Sequence, residues 1–320
     1  MKIQRILLLT FLCSSLTNAS GQEISNKKVN TRTESYKNEP TLKEKHGWNI
    51  DSIASGIIRY HYTGYYEPIQ AFQNINVLEV DLNQKQNNIK LIFEEKEDSL
   101  SAVGQRYKAF AGINGTYEPE ASYVKIDGKF VARNILDNNH LRYWKHEGAL
   151  FYDSRTKSAE IHFATDKEYE KSYIPNILSG APMLIDNYNP VGLWFTGNTD
   201  SLCLESLPYE DYRRHQGVRH PRTAIALVKN KKLLLITVDG REKRAQGMSA
   251  AELTHFLRRY FDPQSALNID GGGSTTMWIQ DFKEAKNSIV NYPTDNKQFD
   301  HYGQRQVTSF ILITQENNKK

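Results

Sequence analysis

An aspartate followed by three glycines and three hydroxyl side chains, Asp270-Gly271-Gly272-Gly273-Ser274-Thr275-Thr276, is the segment best suited to chemistry. Glycine loses more backbone freedom on folding than any other residue. Three in a row therefore fit a place where the chain takes unusual dihedrals or a ligand approaches the backbone. Successive N–H groups in such a turn form a concavity for anions. Ser274 and Thr275 add hydroxyls and Asp270 a carboxylate. The set suits a ligand with phosphate at one end and sugar hydroxyls at the other; a tight turn in a β-rich protein is the competing reading. No Walker loop or dinucleotide fingerprint is present, and Ser274 is not in a Gly-x-Ser-x-Gly elbow. His146-Glu147-Gly148 departs from the His-Glu-x-x-His pattern of zinc proteases.

The elements that would position this segment are mostly strands. Gly56–Tyr62, Asn76–Leu82 and Asn88–Phe93 are β-rich and partly alternating. Polar residues 83–87 suit a hairpin loop joining the last two. Leu227–Val228 and Leu233–Val238 form a second expected hairpin around Lys229-Asn230-Lys231, and Val307–Thr314 is a final strand. One helix is expected over Ser249–Phe261. Ser249 and Glu252 have the spacing of a capping box. Leu253, Phe256, Leu257 and Tyr260 share one face, and Pro263 stops the helix. Ser265–Asp270 then forms a buried strand that delivers Asp270 beside exposed amides. The expected fold class is α+β, a single mixed, sheet-rich domain with a few packing helices.

The string Leu267-Asn268-Ile269-Asp270-Gly271-Gly272-Gly273-Ser274-Thr275-Thr276-Met277 resembles the hallmark of the phosphodiester glycosidase family. Further blocks match in the same order. They are Gly112–Tyr117, Pro221–Ala226, Thr237–Arg241, Gly247–Leu253, Asn291–Asp295 and Arg305–Val307. The resemblance spans roughly residues 75 to 315. It implies cleavage between a sugar anomeric carbon and a phosphate oxygen, with stabilisation of an oxocarbenium-like centre, a grip on phosphate and delivery of water. Asp270 is then the first catalytic carboxylate, as nucleophile, stabiliser or base. Asp239 is the second, or else a turn residue. Arg222 follows a loop holding Arg213, Arg214, His215, Arg219 and His220; Arg222 and His220 are its candidates for substrate binding. Asn114 offers an amide to substrate or serves an Asn-Gly turn. Arg241 binds substrate or pairs with Asp239. Gly271, Gly272, Gly273, Ser274 and Thr275 complete the substrate contacts. The family pattern at the first block is Asn-Gly-Gly-Phe-Phe or a near variant, whereas this chain has Asn114-Gly115-Thr116-Tyr117-Glu118. Thr116 narrows the space of a second glycine. Glu118 is either a further acid/base group or a surface residue.

Lys2, Arg5 and the apolar run Ile6–Leu16 read as a secretory leader, cleaved after Gly21. That run is too short to span a bilayer, which needs about 20 apolar residues, and no later segment is a transmembrane candidate. Residues 22–46 read as a flexible tether and 47–320 as the catalytic domain. The expected location is periplasmic or extracellular. Without the leader, Cys203 is the remaining cysteine, so no internal disulfide is available; it reads as a small buried hydrophobe. The full chain carries +4, and loss of the leader's two positive charges leaves it near neutral. Bulk charge gives no reason to expect nucleic acid as a partner. The expected partner is a phosphorylated carbohydrate or glycopolymer. No cofactor is expected and no metal ligand is assigned; the carboxylates and carbonyls near Asp270 would suit a structural calcium, but EF-hand spacing is absent. Two other functions stay open: a non-catalytic module that binds anionic glycans, and a phosphodiesterase that breaks the P–O bond of a cell-surface polymer.

Overall fold

The computed structural model describes residues 47–193 and 203–315. The leader and tether expected from the sequence lie outside the described residues. The strands in chain order are β1 (Trp48–Ala54), β2 (Ile57–Tyr66), β3 (Ala71–Asp81), β4 (Asn87–Asp98), β5 (Ala111–Asn114), β6 (Val124–Ile126), β7 (Lys129–Ala132) and β8 (Gly148–Asp153). They continue as β9 (Ser158–Phe163), β10 (Asn176–Gly180), β11 (Met183–Ile185), β12 (Arg222–Val228), β13 (Lys232–Val238), β14 (Ser265–Asn268), β15 (Met277–Ile279) and β16 (Val307–Gln315). The α-helices are α1 (Leu100–Arg106), α2 (Asp166–Lys171), α3 (Tyr212–Gly217) and α4 (Ala250–Tyr260).

Three antiparallel sheets result. Their orders are β1-β2-β3-β13-β12-β14-β11, β7-β6-β10-β8-β9 and β15-β5-β16-β4. The mixed, strand-rich α+β class read from the sequence is the class observed. Strand β13 shows why its apolar run is continuous. Successive side chains point to opposite faces: Leu233 and Leu235 enter a core shared with Leu91, Ile113, Leu150 and Ile311 of the other two sheets. Leu234, Ile236 and Val238 face the opposite way, onto Leu253, Phe256 and Leu257 of α4. With both faces covered, no position on the strand is left for alternation with polar residues.

Helix α4 starts where the capping box puts it. The Ser249 hydroxyl accepts the Glu252 amide at 3.2 Å, and the Glu252 carboxylate accepts the Ser249 amide at 2.9 Å. Strands β12 and β13 pair as expected, Arg222 against Val238 through Val228 against Lys232. The tight loop is closed by Asn230 and Lys231, both at positive φ.

Two expectations are corrected. β3 and β4 do not form a hairpin, because both edges of β3 are taken by β2 and β13. The polar turn instead carries the chain from one sheet to another, where β4 pairs with β16. Asn87 fastens this corner: its amide donates to the carbonyls of Ser55, Gly56 and Asp81 at 3.1, 3.3 and 3.2 Å, and its oxygen accepts from Gln315 at 2.8 Å. Cys203 is exposed, not buried; it precedes a short 3-10 turn, Leu204–Ser206, in which none of the residues is buried.

Asn87→Ala would strip the corner of the four hydrogen bonds made by this fully buried amide, at a cost of about 1–3 kcal/mol. A urea titration should show a lower midpoint with an unchanged m-value. An unchanged midpoint would mean that the corner is held by other contacts.

Candidate active site

Strand β14 pairs with β12 as far as Asn268 against Ala224. Ile269 still donates its amide to Thr223 O at 2.9 Å, and the chain then leaves the sheet at Asp270. At the end of β5, Asn114 anchors this exit. Its Nδ2 donates to Asp270 O at 2.7 Å, and its Oδ1 accepts the Thr223 hydroxyl at 2.9 Å and the Thr276 amide at 3.1 Å. The glycines then make one 3-10 turn, Gly272–Ser274. Gly272 sits at φ +60, the left-handed region where a side chain is strained. A Cβ on Gly271 would lie 2.7 Å from Pro221 O. Here glycine is required by the approach of another stretch of backbone.

The expected row of bare amides is shorter than the sequence suggested. Gly272 N donates to Pro221 O at 2.8 Å, Ser274 N to Gly271 O at 3.1 Å and Thr275 N to Gly272 O at 3.4 Å. Among the described residues, no hydrogen bond is made by the Gly271 and Gly273 amides.

A cavity of about 350 Å³ opens beside this turn. Asp270, the three glycines and Ser274 form one wall, Thr116–Glu120 a second, and Tyr209, His215 and His220 a third. Lys145 and Arg305 bring the cations. Burial pushes the Asp270 carboxyl up to about 7; the Ser274 hydroxyl works against this, Glu118 adds to it, and Lys145 and Arg305 pull it back. Glu118 goes the other way. Burial would raise it, but Lys145 at 2.9 Å from both oxygens and Arg142 at 3.3 Å outweigh burial and hold it below the usual carboxylate range. His220 is pushed down to about 3 by burial and by the guanidinium groups of Arg222, Arg241 and Arg214. His215 is also lowered, first by burial and then by Arg222. Both imidazoles are neutral at physiological pH.

The other sequence candidates scatter around this cavity. Glu118, His220, Gly271, Gly272, Gly273 and Ser274 line it. Arg222 does not: it is fully buried, and donates to Met248 O at 2.8 Å, His215 O at 2.6 Å and Val218 O at 3.0 Å. It therefore braces the loop that carries His215 and His220. Asp239 is also outside the lining and is 1 % exposed. It accepts from Asn74 Nδ2 at 2.6 Å, Asn291 Nδ2 at 2.8 Å and the Tyr292 amide at 3.0 Å. A carboxylate so enclosed has no approach to a ligand in the cavity. It reaches the glycine turn at one remove, because Asn291 also donates to Thr275 O at 3.0 Å and accepts the Met277 amide at 2.7 Å. Asn114 spends its amide on the protein itself, and Thr275 is buried away from the lining. Arg241 is exposed and pairs not with Asp239 but with the Tyr209 hydroxyl, at 3.0 Å.

Tyr117, Lys145, His215 and Arg305 line the cavity but were not singled out as site residues from the sequence. Tyr117 and Arg305 stand inside the matching blocks and could have been found there. His215 was noted only as part of a basic loop. Lys145 carries no motif; only the fold brings it between Glu118 and Glu210, each at 2.9 Å. Among the described residues, no group of three His, Cys, Asp or Glu side chains is arranged to hold a metal ion.

A family profile described as phosphodiester glycosidase matches residues 107–314. Comparison with curated proteins finds no match. Among solved structures, the zebrafish N-acetylglucosamine-1-phosphodiester alpha-N-acetylglucosaminidase catalytic domain, auto-inhibited by its pro-peptide, superposes with a TM-score of 0.60 at 16% identity, covering 83% of this chain and 86% of that one. A hypothetical protein from Synechocystis gives 0.53 at 11% identity, with 85% and 64% covered. A Burkholderia pseudomallei protein named as a "putative exported protein" gives 0.52 at 13% identity, with 77% and 74% covered. At these identities the likeness concerns the fold.

The raised Asp270 pKa has a sign that stability measurements can read. In the unfolded chain this carboxyl ionises near its ordinary value of 3.8, while in the folded protein it stays protonated up to about 7. Between those values the native state binds more protons, so this group lowers stability as pH rises and contributes a constant penalty above that window. Asp270→Asn removes the penalty. The variant should melt above the wild type at pH 8, by about 2 kcal/mol after discounting for solvent in the cavity. The two curves should converge below pH 4. A pH-independent difference would show that the carboxyl is not perturbed.

Proposed function

As the chain belongs to the phosphodiester glycosidase family and is a hydrolase, we propose that it hydrolyses the bond between a sugar anomeric carbon and a phosphate oxygen, in a sugar-1-phosphodiester of a glycan or glycopolymer. One observation carries the reading: Asp270 and Glu118 line a single cavity, and their surroundings push their pKa values in opposite directions. Such divergence separates the roles of two carboxyls in acid–base catalysis. Glu118 stays ionised and faces the positive charge that develops on the sugar ring. Asp270 exchanges the proton. The anomeric C–O bond breaks with its electron pair going to the phosphate oxygen, a water oxygen bonds to the anomeric carbon, and Asp270 takes the proton of that water.

Phosphate is a good leaving group, so the cavity's task is to hold it. Arg305 is the proposed clamp. Its guanidinium lies beside the Ser274 hydroxyl, at 3.5 Å, and against Gly273 of the glycine turn. A planar fork of N–H donors matches two phosphate oxygens. Neutral His215 and His220 offer ring nitrogens to sugar hydroxyls without adding charge. A cavity of about 350 Å³ is at the small end of ligand sites and suits one sugar with its phosphate. Asp239, Arg222 and Asn114 act as positioning residues. The reaction uses side chains of this chain, and its proposed setting is outside the cytoplasm, in line with the leader-like residues 1–21.

Asp270→Asn should lower kcat by at least about a thousandfold with the circular dichroism spectrum retained. The wild-type kcat/KM should rise with pH to a plateau above about 7, and hydrolysis in ¹⁸O-water should place the label on the sugar. Label on phosphate would mean P–O cleavage instead. Arg305→Ala should raise KM for a sugar-1-phosphodiester by about ten- to a hundredfold and leave an uncharged aryl glycoside unaffected. Equal losses on both substrates would remove Arg305 as the phosphate clamp.

A further inference from the structure

Beside the catalytic cavity lies a larger one, of about 1050 Å³, that none of the proposed steps uses. The wall between the two is thin. Trp144 lines the larger cavity, and its ring lies 4.6 Å from His215 and 5.7 Å from Tyr117, both of which line the catalytic one. Its indole N–H donates to Glu210 O at 3.0 Å, which ties it to a third residue of the catalytic lining. The two cavities also share α3: His215 belongs to one, and Tyr212 and Gln216 to the other.

We infer that the larger cavity is a second sugar subsite, which receives neutral sugar units of the group beyond the scissile phosphate; this rests on the function proposed above. Its lining combines ring faces with hydrogen-bonding groups. Tyr143, Trp144, Phe163 and Tyr212 supply the rings, and Phe163 and Tyr212 remain 37% and 47% exposed. A pyranose has an apolar C–H face that stacks on such rings and a rim of hydroxyls that needs polar partners. Thr165 and Gln216 supply these. The charged groups here are of both signs: Asp166 is hydrogen-bonded to the His146 ring at 2.9 Å, Arg213 pairs with Asp211 at 2.8 Å, and Lys167 shares the lining with Glu147. That balance fits a neutral sugar and gives no excess positive charge for a second phosphate. The shared Trp144 wall puts this subsite within one side chain of the bond to be cut, so one substrate can occupy both cavities.

The test uses the full chain with Phe163→Ala and, separately, Tyr212→Ala, neither of which belongs to the catalytic lining. Two substrates are compared: a sugar-1-phosphate methyl diester, and a diester with a neutral trisaccharide beyond the phosphate. The subsite predicts a KM about tenfold higher for the trisaccharide diester in each variant, with kcat unchanged and the methyl diester unaffected. Equal effects on both substrates, or none on either, would overturn it. A second measurement does not depend on catalysis. Tryptophan fluorescence, to which Trp144 contributes as one of four tryptophans, is titrated with mannotriose, cellotriose and N-acetylchitotriose in the wild type and in Phe163→Ala. Saturable quenching that is weakened in the variant supports the subsite, even if no phosphodiester is cleaved. Absence of quenching by all three, or quenching that Phe163→Ala leaves intact, refutes it.

Discussion

Asn114 joins four groups with one amide: it donates to the carbonyls of Asp270 and Gly115 and accepts from the Thr223 hydroxyl and the Thr276 amide. Three strands from two sheets, β5, β12 and the approach to β15, are thereby fixed relative to the glycine turn. The amide is buried, so each of these bonds is made in a medium where an unpaired partner costs the full desolvation penalty. The turn cannot drift without leaving such a group exposed to nothing. Asp270 owes its position to its own backbone being held, which frees its carboxyl to face the cavity.

The same logic repeats in a shell around the site. Arg222 gives its donors to three backbone carbonyls of the 215–220 loop and Met248. Asp239 collects Asn74, Asn291 and Tyr292, and Asn291 passes the restraint on to Thr275 and Met277. Buried charges are costly, and a fully hydrogen-bonded one confers definition more than stability. These groups look like ligand-binding residues by type, yet most of their polarity is consumed by the fold; in Arg222 only Nη1 is left without a partner among the described residues.

Much of the fold could be read from the chain. The capping box of α4, the β12–β13 hairpin and the strand leading to Asp270 follow from local periodicity and turn chemistry. The break between β3 and β4 could not be read that way, because the polar turn looks the same whether the next strand folds back or crosses to another sheet. Competition for the edges of β3 decides it, and that is a long-range property. The site divides similarly. Asp270 and the glycines announce themselves by composition. Asp239 and Arg222 have equally suggestive neighbours, but only burial separates a support from a ligand. Lys145 lacks any local mark, since its role comes from Glu118 and Glu210 arriving from distant segments.

Arg305 already has a carboxylate at rest: Asp295 accepts its Nε at 2.8 Å and also a terminal nitrogen. An anion that arrives there displaces a tenant; it does not land on a naked charge. The gain on binding is the difference between two ion pairs, smaller than either alone. For the phosphate clamp proposed above, the returning carboxylate would help to expel the spent phosphate, which favours release over tight retention.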